Sequence, residues 1–280
     1  MMKKLFLCVG AAKAGTTWLY KQLEQNPQIF FSPRKEINYF FSKYSTFNRL
    51  TYQSKYKNYV NFVKTSSNTK FSKFRAENDW YLRYLSDPVD DTWYRQLFEG
   101  CRGNQYASDF SPSTSKISQE GWESISRSAE EVKIVYMMRS PLDRLWSHIK
   151  FQMARTNSFT ELESFSTNDY ANIVTKYGLL VDGKYGTHLN NIYKAIEKNN
   201  VKVCFFEDIN ARPTELLHDI ESFLDTAHIN YNVALTQKQI NKSQTLRMPD
   251  CIADLYTKHL TEEVNKLRAL GFQIPDSWRF

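Results

Sequence analysis

Five short runs of apolar residues, each bounded by turn-forming residues, divide the chain. They lie at Leu5–Val9, Ile29–Phe31, Tyr106–Ser108, Val132–Met138 and Val201–Phe206. Apolar runs without polar alternation are typical of parallel strands that are covered on both faces. The pattern therefore predicts a central, mainly parallel sheet of about five strands.

Apolar positions with helical spacing fill the segments between and after these runs. The clearest predicted helices are Thr16–Gln25, Pro141–Gln152, Gly186–Glu197, Pro213–Leu224 and Pro249–Leu270. Three of them carry proline at or near the first turn, where its missing N–H costs nothing. Alternating strands and helices predict an α/β fold. Polar stretches predict loops, the last two as candidate lids, at Lys64–Lys73, Thr156–Thr167 and Thr236–Leu246.

The length of the chain is consistent with a single domain. With 280 residues, 41% of them hydrophobic, the chain can bury a large core, and we expect one domain over residues 1–280. No apolar stretch approaches the roughly 20 residues that cross a bilayer. The four cysteines are widely spaced, which argues against a zinc site or a disulfide framework. We expect free thiols, a cytoplasmic location and no metal; the oligomeric state is not indicated.

The net charge of +7 is concentrated in one stretch of the chain. Residues 43–75 contain eight basic residues and no acidic one, interleaved with eight aromatic residues. One interpretation is a solvated helical face whose aromatic side chains point into the core. Two others are a surface for an anionic acceptor and a nucleic-acid-binding module.

The first residues, MMKKLFLCVGAAKAGTTWLYKQL, allow two interpretations. Two lysines, a short apolar run and the small residues around Lys13 fit a secretion signal. The apolar run is short, however, and Gly10 interrupts it. The alternative is a buried strand, a tight loop from Gly10 to Gly15 and a helix from Thr16, which is a unit that holds phosphate groups.

The order of residues in this loop differs from that of nucleotide hydrolases. Those proteins place the lysine after the second glycine, whereas here Lys13 lies within the loop. They also need an acidic magnesium ligand at a strand end, but VKIVYMM is followed by Arg139, and Asp109 is the one candidate that remains. The loop thus predicts a nucleotide-anion site built from cations and amides, without a divalent metal.

Two sequence blocks resemble the sulfotransferases that use 3′-phosphoadenosine 5′-phosphosulfate (PAPS). GAAKAGTTWL is similar to the family's 5′-phosphosulfate loop, and VKIVYMMRSPLDRLWSHI to its 3′-phosphate block. Weaker matches extend the resemblance over nearly the whole chain: PRKEINYF, YASDFSPST, YGTHLNNIY, FFEDI and NKS. The pattern is closest to the carbohydrate or heparan-sulfate branch and its bacterial relatives. A cleaved signal would remove the first block, so the resemblance favours the phosphate-binding interpretation and a P-loop-type sheet.

The resemblance assigns donor-binding roles to residues of both blocks. Lys13 would neutralise charge on the leaving 5′-phosphate, assisted by the amides and hydroxyls of Ala14, Gly15, Thr16 and Thr17. Trp18 matches a residue that stacks on adenine in part of the family, although a core tryptophan is an equal alternative. Arg139 and Ser147 match the pair that grips the 3′-phosphate. Lys242, in NKS, would reach the nucleotide from a late loop.

The resemblance also provides a candidate base. In the glycan-modifying branch the base is a glutamate in a Lys-Glu-x-His-Phe-Phe-like motif, which corresponds here to Lys35-Glu36-Ile37-Asn38-Tyr39-Phe40. Glu36 is therefore the candidate base, with Lys35 beside it to steer the sulfuryl group or the acceptor. Asn38 replaces the family's histidine. Asp109 would contact the acceptor or orient the base. The helix that bears Ser147 also carries Arg144 and His148, expected on a salt-bridged or solvated face.

Together these features predict a PAPS-dependent O-sulfotransferase. The base motif indicates a carbohydrate acceptor, and the insertion 43–105, predicted to be largely helical, basic and aromatic, is expected on the acceptor side, where it would suit an anionic glycan. Alternatives are a P-loop kinase or nucleotidase, which would bind magnesium-ATP, and a nucleic-acid-binding module, which would bind with steep salt dependence. A third is a chain that binds PAPS without transferring sulfate.

Overall fold

Five parallel strands form one central sheet in the computed structural model, which describes residues 2–232 and 246–278. The strands are β1 (Met2–Gly10), β2 (Ile29–Phe31), β3 (Tyr106–Asp109), β4 (Ala129–Met138) and β5 (Val201–Phe205). Their order across the sheet is β2-β3-β1-β4-β5, and every pairing is parallel. The predicted α/β fold is therefore confirmed.

Helices cover both faces of this sheet. They are α1 (Thr16–Leu23), α2 (Tyr39–Lys43), α3 (Tyr52–Thr65), α4 (Phe71–Leu85), α5 (Asp91–Gln96), α6 (Gln119–Ser126), α7 (Pro141–Arg155), α8 (Thr167–Lys176), α9 (Tyr185–Tyr193), α10 (Asp208–Ala211), α11 (Pro213–Phe223) and α12 (Asp250–Ala269). Short 3₁₀ helices lie at Pro112–Lys116, Phe159–Ser164, Val181–Gly183 and Lys198–Asn200. All five predicted helices are present, with ends that differ by a few residues. None of the helices among the described residues is long and apolar enough to span a bilayer.

The first two predicted loops are present only in part. Within Lys64–Lys73, residues 66–70 form the connection, whereas α3 continues to Thr65 and α4 begins at Phe71. The polar residues at both ends of the range occupy exposed helical positions, which a polar composition alone does not distinguish from a loop. Thr156–Thr167 includes a 3₁₀ helix. The third predicted loop lies outside the described residues except for Leu246.

Strand β1 occupies the middle of the sheet, and its second half is deeply buried. Residues 5–9 are each at most 1% exposed, as expected for a strand that pairs on both edges and is covered on both faces. Cys8 and Cys204 are free buried thiols, as predicted. Burial raises the pKa of each to about 12, so neither supplies a thiolate at neutral pH.

Backbone hydrogen bonds beyond the strand ends bring three loops together at the carboxyl edge of the sheet. The Ala11 amide donates to the Met137 carbonyl oxygen over 2.6 Å, and the Phe206 amide to the Met138 carbonyl oxygen over 2.7 Å. Gly10 permits this approach, because a Cβ atom there would lie 2.5 Å from the Tyr136 ring. The segments that follow β1, β4 and β5 are consequently neighbours.

The basic and aromatic insertion contains the antiparallel pair α3 and α4, whose contact surface is aromatic. The Phe62 ring of α3 stacks on the Tyr81 and Phe74 rings of α4, with centroids 4.5 Å and 5.4 Å apart. Lys55 on α3 is fully buried, and its ammonium contacts the Ser86 carbonyl oxygen and Asp87, each over 2.8 Å. One of the eight basic residues of the range 43–75 therefore stabilises the end of α4 instead of facing solvent.

Replacing Lys55 by methionine should lower the free energy of unfolding in urea by about 2–3 kcal/mol, because carbonyl groups at the end of α4 lose a charged donor. Lys57→Met is the matched control, since Lys57 is exposed on the same helix; it should change stability by less than about 0.5 kcal/mol. Equal effects of the two substitutions would show that the buried contacts of Lys55 contribute nothing.

Candidate active site

The loop after β1 presents the amino end of α1 at the carboxyl edge of the sheet. Gly15 is the N-cap of α1, so no side chain caps the first turn. Its φ is +86°, and a Cβ atom there would lie 2.4 Å from the Ile209 side chain, so the position requires glycine. The Ala14 amide is already used, since it donates to the Ala11 carbonyl oxygen over 3.1 Å. The amides available for an anion therefore start at Gly15, as the first turn of a helix leaves its N–H groups unbonded.

Lys13 lies within this loop in the left-handed region, with φ of 69°. Its ammonium group sits over the exposed Phe151 ring of α7, 4.2 Å from the centroid, a favourable cation–π distance. Burial lowers the Lys13 pKa, and the positive charges of Arg139 and Lys35 lower it further. The ammonium is thus partly desolvated among other cations.

Arg139 follows β4 directly and is held from two sides. Its guanidinium lies 4.4 Å from the centroid of the Phe206 ring, and its carbonyl oxygen accepts a 2.9 Å hydrogen bond from the Tyr185 hydroxyl. Burial lowers the Arg139 pKa. The ring of Phe206 also packs against Gly15, since a Cβ atom there would lie 3.0 Å from it. One aromatic side chain therefore contacts both predicted donor-binding blocks.

A fourth cation adds to this cluster. Lys150 lies on α7, and its pKa is lowered by burial and then by the charge of Arg139. Lys13 experiences repulsion from Arg139, Lys35 and Lys150, and attraction from Glu36. Such an excess of partly buried positive charge favours binding of an anion, which would relieve the repulsion.

The candidate base lies in a strained loop that touches the Lys13 loop. Glu36 and Asn38 have φ of 65° and 61°, and the Asn38 amide side chain donates to the Glu36 carbonyl oxygen over 3.0 Å. The Lys35 ammonium is 3.3 Å from the Thr16 hydroxyl and 3.4 Å from the Glu36 carboxylate. The Glu36 side chain is 42% exposed, so its carboxylate is accessible to a ligand.

Asp109, at the end of β3, supports this loop from beneath. Its carboxylate accepts a hydrogen bond from the Ser111 hydroxyl over 2.6 Å and one from the Tyr94 hydroxyl over 3.2 Å. Ser111 in turn accepts from the Asn38 backbone amide over 2.9 Å, and the Ile37 amide also bonds to Asp109. Asp109 is 2% exposed. This geometry favours orientation of the base over direct contact with an acceptor.

Arg144 and His148 lie buried on the inner face of α7, so the expectation of a solvated face is wrong. Arg144 is fully buried and donates to the Leu179 carbonyl oxygen over 2.8 Å. His148 Nδ1 is 3.7 Å from Asp182, which also pairs with Lys116 over 2.9 Å. Burial lowers the His148 pKa to about 3. A neutral His148 leaves the positive charge of the site to lysine and arginine.

The predicted site residues differ in where the structure places them. Those gathered at the carboxyl edge are Lys13, Ala14, Gly15, Thr16, Thr17, Lys35, Glu36 and Arg139. Ser147 lies on α7 and is 7% exposed, and Trp18 is 5% exposed within the apolar core, which favours its structural alternative. Lys242 lies outside the described residues.

Sequence reasoning missed three residues of the site: Lys150, Phe151 and Phe206. The first two follow Ser147 on the same helix, so helical spacing was the available signal. Phe206 lies in FFEDI, which the family resemblance included without giving the ring a role. Among residues 2–232 and 246–278, no three His, Cys, Asp or Glu side chains cluster in a way that suits a metal ion.

A parallel sheet whose carboxyl edge joins an uncapped helix start to a cation cluster defines a class of α/β proteins that bind phosphorylated ligands. The sulfotransferase domain family matches residues 3–268. The chain therefore belongs to the sulfotransferase family, and its domain is that of a sulfotransferase enzyme. The family resemblance found in the sequence is confirmed.

Solved structures and a curated protein agree with this assignment. The fold is similar to that of a sulfotransferase from Alicyclobacillus acidocaldarius, with a TM-score of 0.68, 21% identity and coverage of 100% of both chains. It is also similar to the sulfotransferase domain of the Synechococcus PCC 7002 olefin synthase, with a TM-score of 0.57, 14% identity and 98% of both chains covered. Membrane-associated sulfotransferase kil1 of Dictyostelium discoideum is 23% identical in an alignment of 273 residues. The match covers 81% of this chain and 57% of that relative.

Asp109 provides a pH-dependent test of the support beneath the base loop. Burial raises its pKa from 3.8 to about 6, so the folded protein holds this proton more tightly than the unfolded chain. Its contribution to stability is complete below about pH 3.8 and is lost as the pH rises through about 6. Asp109→Asn does not show this loss. As the pH rises between these two values, the free energy of unfolding of the variant relative to that of wild type should therefore increase by about 3 kcal/mol.

The measurement is urea unfolding at a series of pH values. Asp254→Asn on α12, where the aspartate is exposed, is the control and should follow wild type throughout. A constant difference between Asp109→Asn and wild type across the series would contradict a raised pKa at this buried carboxyl group.

Proposed function

We propose that the chain transfers a sulfuryl group from PAPS to a hydroxyl group of a carbohydrate acceptor. The observation that carries the proposal is the convergence of Lys13, Lys35, Arg139 and Lys150 beside the uncapped start of α1. PAPS bears anionic groups at both its 5′ and 3′ positions. Cations on the loop after β1 and on the loop after β4 would provide one positive group for each anionic end.

The residues of the two blocks fit the two ends of this donor. Lys13 and the amides from Gly15 to Thr17 would hold the 5′-phosphosulfate, since they combine a cation with the start of a helix. Arg139 would hold the 3′-phosphate with its planar set of donors, and Ser147 on α7 would add a hydroxyl. Lys150 supplies further positive charge. The role of Lys242 remains a prediction from sequence.

Glu36 is the proposed base. Its accessible carboxylate would take the proton of the acceptor hydroxyl as the oxygen attacks. When bound, the donor supplies the sulfuryl group, and its bond to the 5′-phosphate breaks as the new S–O bond forms. Lys13 would counter the negative charge left on the phosphate. Lys35, in contact with both Thr16 and Glu36, would hold the base beside the donor loop.

The acceptor class rests on the base motif and the insertion. Lys35-Glu36 occupies the position that the glycan-modifying branch uses for its base, and residues 43–105 supply aromatic and basic side chains next in the chain. An anionic polysaccharide or a glycolipid would suit this composition. All four cysteines are free, which supports the proposed cytoplasmic location.

Binding of magnesium-ATP is the competing function. Asp109 was the one acidic residue available to serve as a magnesium ligand, yet hydrogen bonds from Ser111, Tyr94 and the Ile37 amide occupy its buried carboxylate. A magnesium site would have to break these bonds, which hold the base loop. The contacts of Asp109 therefore favour PAPS as the nucleotide.

Calorimetric titration with the product 3′-phosphoadenosine 5′-phosphate, beside ATP with magnesium, tests the donor site. Wild type should bind the bisphosphate without metal, and Lys13→Ala and Arg139→Ala should each weaken binding about ten- to a hundredfold through loss of a charged donor. Lys21→Ala is the control, because Lys21 lies on the exposed side of α1, paired with Glu24 over 2.9 Å. A preference for magnesium-ATP would overturn the proposal.

Glu36→Gln separates catalysis from donor binding. With PAPS and a panel of unsulfated polysaccharides and glycolipids, the variant should lose about 100-fold or more in turnover, because glutamine accepts no proton. Its affinity for the bisphosphate should stay within about threefold of wild type. Unchanged turnover would exclude Glu36 as the base, and wild-type binding without any transfer would indicate a donor-binding protein.

A further inference from the structure

Helix α3 has a second apolar face that points away from the protein. Tyr52, Tyr56, Val60 and Val63 follow one another at intervals of four, four and three residues, which places them on one side of a helix. The structure leaves Tyr52 64%, Tyr56 51% and Val63 43% exposed. The Tyr52 and Tyr56 rings are parallel within 10°, with centroids 6.1 Å apart. We call these four residues the α3 stripe.

The α3 stripe is distinct from the face that packs against α4. That inner face consists of Lys55, Tyr59 and Phe62, which face Tyr81, Asn78 and Phe74 of α4. Phe47 before α3 and Phe71 after it are 72% and 78% exposed, more than any other large hydrophobic residue described. Apolar side chains therefore face solvent along the helix and in the segments at both of its ends.

Positive charge borders the α3 stripe without compensation. Lys57 and Lys64 lie next to it on the same side of the helix and are exposed; among the described residues they form no ion pair. No acidic residue occurs from position 43 to 75. Elsewhere in the insertion cations do have partners, as in the Lys43–Asp91 pair at 2.8 Å. The outer side of α3 is therefore both apolar and cationic.

We propose that the α3 stripe, with Lys57 and Lys64, docks on the surface of an anionic lipid bilayer. An exposed helix with an apolar strip and adjacent lysines is the arrangement that lies in the headgroup region, its apolar side chains below and its cations at the phosphates. At 14 residues, α3 is about 20 Å long, enough for several lipids. This inference goes beyond the proposed function: it assigns the outer side of α3 to lipid and leaves the rest of residues 43–105 to the proposed acceptor.

The chemistry of the stripe favours lipid over an anionic glycan. Sugar recognition relies on hydrogen-bonding groups that converge on hydroxyls and charged substituents. Val63 and the nearby Phe71 offer none, and their exposure costs free energy that burial in a bilayer would recover. Tyrosine suits the boundary, since its ring is apolar and its hydroxyl remains in the headgroup region.

The hairpin of α3 and α4 also packs toward the candidate base. Arg34 lies beside Lys35 in the base loop, and its guanidinium is 6.0 Å from the centroid of the Tyr84 ring of α4. A bilayer held by α3 would therefore be connected to the base loop through one layer of aromatic side chains.

Cosedimentation with vesicles tests the proposal on the whole chain. The probes are phosphatidylcholine vesicles with and without phosphatidylserine, over a series of salt concentrations. Wild type should bind the anionic vesicles, and binding should weaken as salt rises. Lys57→Gln with Lys64→Gln should reduce the partition coefficient about 25-fold, since each surface lysine contributes about fivefold. Tyr56→Gln with Val63→Gln should reduce it at least tenfold.

The matched control is Leu255→Gln with Lys258→Gln on α12, where Leu255 is 40% exposed and Lys258 is exposed. It should bind vesicles as wild type does. Circular dichroism and titration with the bisphosphate should show that every variant is folded with its donor site intact. A failure of donor binding in wild type would count against the proposed function alone.

Three outcomes would overturn the docking surface. The first is absence of binding to anionic vesicles at low salt, and the second is equal binding by wild type and both α3 variants. The third is binding to heparin, lost in the α3 variants, without any binding to vesicles, which would assign this face to anionic glycans instead.

Discussion

Partial burial of like charges is the constraint on which this site depends. Burial lowers the pKa of both Lys13 and Arg139, and the positive charge of Arg139 lowers the pKa of Lys13 further. Repelling cations remain close because their backbones are fixed: hydrogen bonds tie Ala11 to Met137 and Phe206 to Met138 just past the strand ends. The stability of the parallel sheet thus maintains an arrangement that is unfavourable without an anion.

The backbone of the site is also held in an unfavourable conformation by the structure around it. Lys13, Gly15, Glu36 and Asn38 all have positive φ, although only one of them is glycine. Non-glycine residues in this region carry a conformational cost, which surrounding contacts must offset. For Glu36 and Asn38 the offset comes from the hydrogen bonds that Asp109 and Ser111 make to the loop. Buried polar groups therefore determine where an exposed carboxylate points.

The sheet and the cationic segments that follow two of its strands could be predicted, because both depend on local patterns. Apolar runs identified all five strands; Arg139 follows β4 directly, and Lys13 lies in the short loop after β1. The sequence was insufficient where a role depends on distant partners. Nothing local shows that Phe206 packs on both Gly15 and Arg139.

The predicted loop at Lys64–Lys73 is too long for a related reason: its centre, residues 66–70, is a loop, but the polar residues at its ends occupy exposed positions of α3 and α4. Helix α3 shows the limit most clearly. Its apolar residues fall into two sets, Tyr59 with Phe62 and the α3 stripe, and either set alone would predict an amphipathic helix. The spacing of the apolar residues does not show which set packs against the core, because that depends on where α4 packs.

The structure also changes the meaning of the net charge. Lys55 is buried and contacts the end of α4, Lys43 pairs with Asp91, and Lys13, Arg139 and Lys150 form the cation cluster of the candidate site. A basic composition alone suggests one polyanionic partner for the whole chain. Here the cations serve separate local purposes, and those left on the outer side of α3 lie next to apolar side chains. That juxtaposition, and not the total charge, is what distinguishes a lipid surface from a nucleic acid as the partner of this helix.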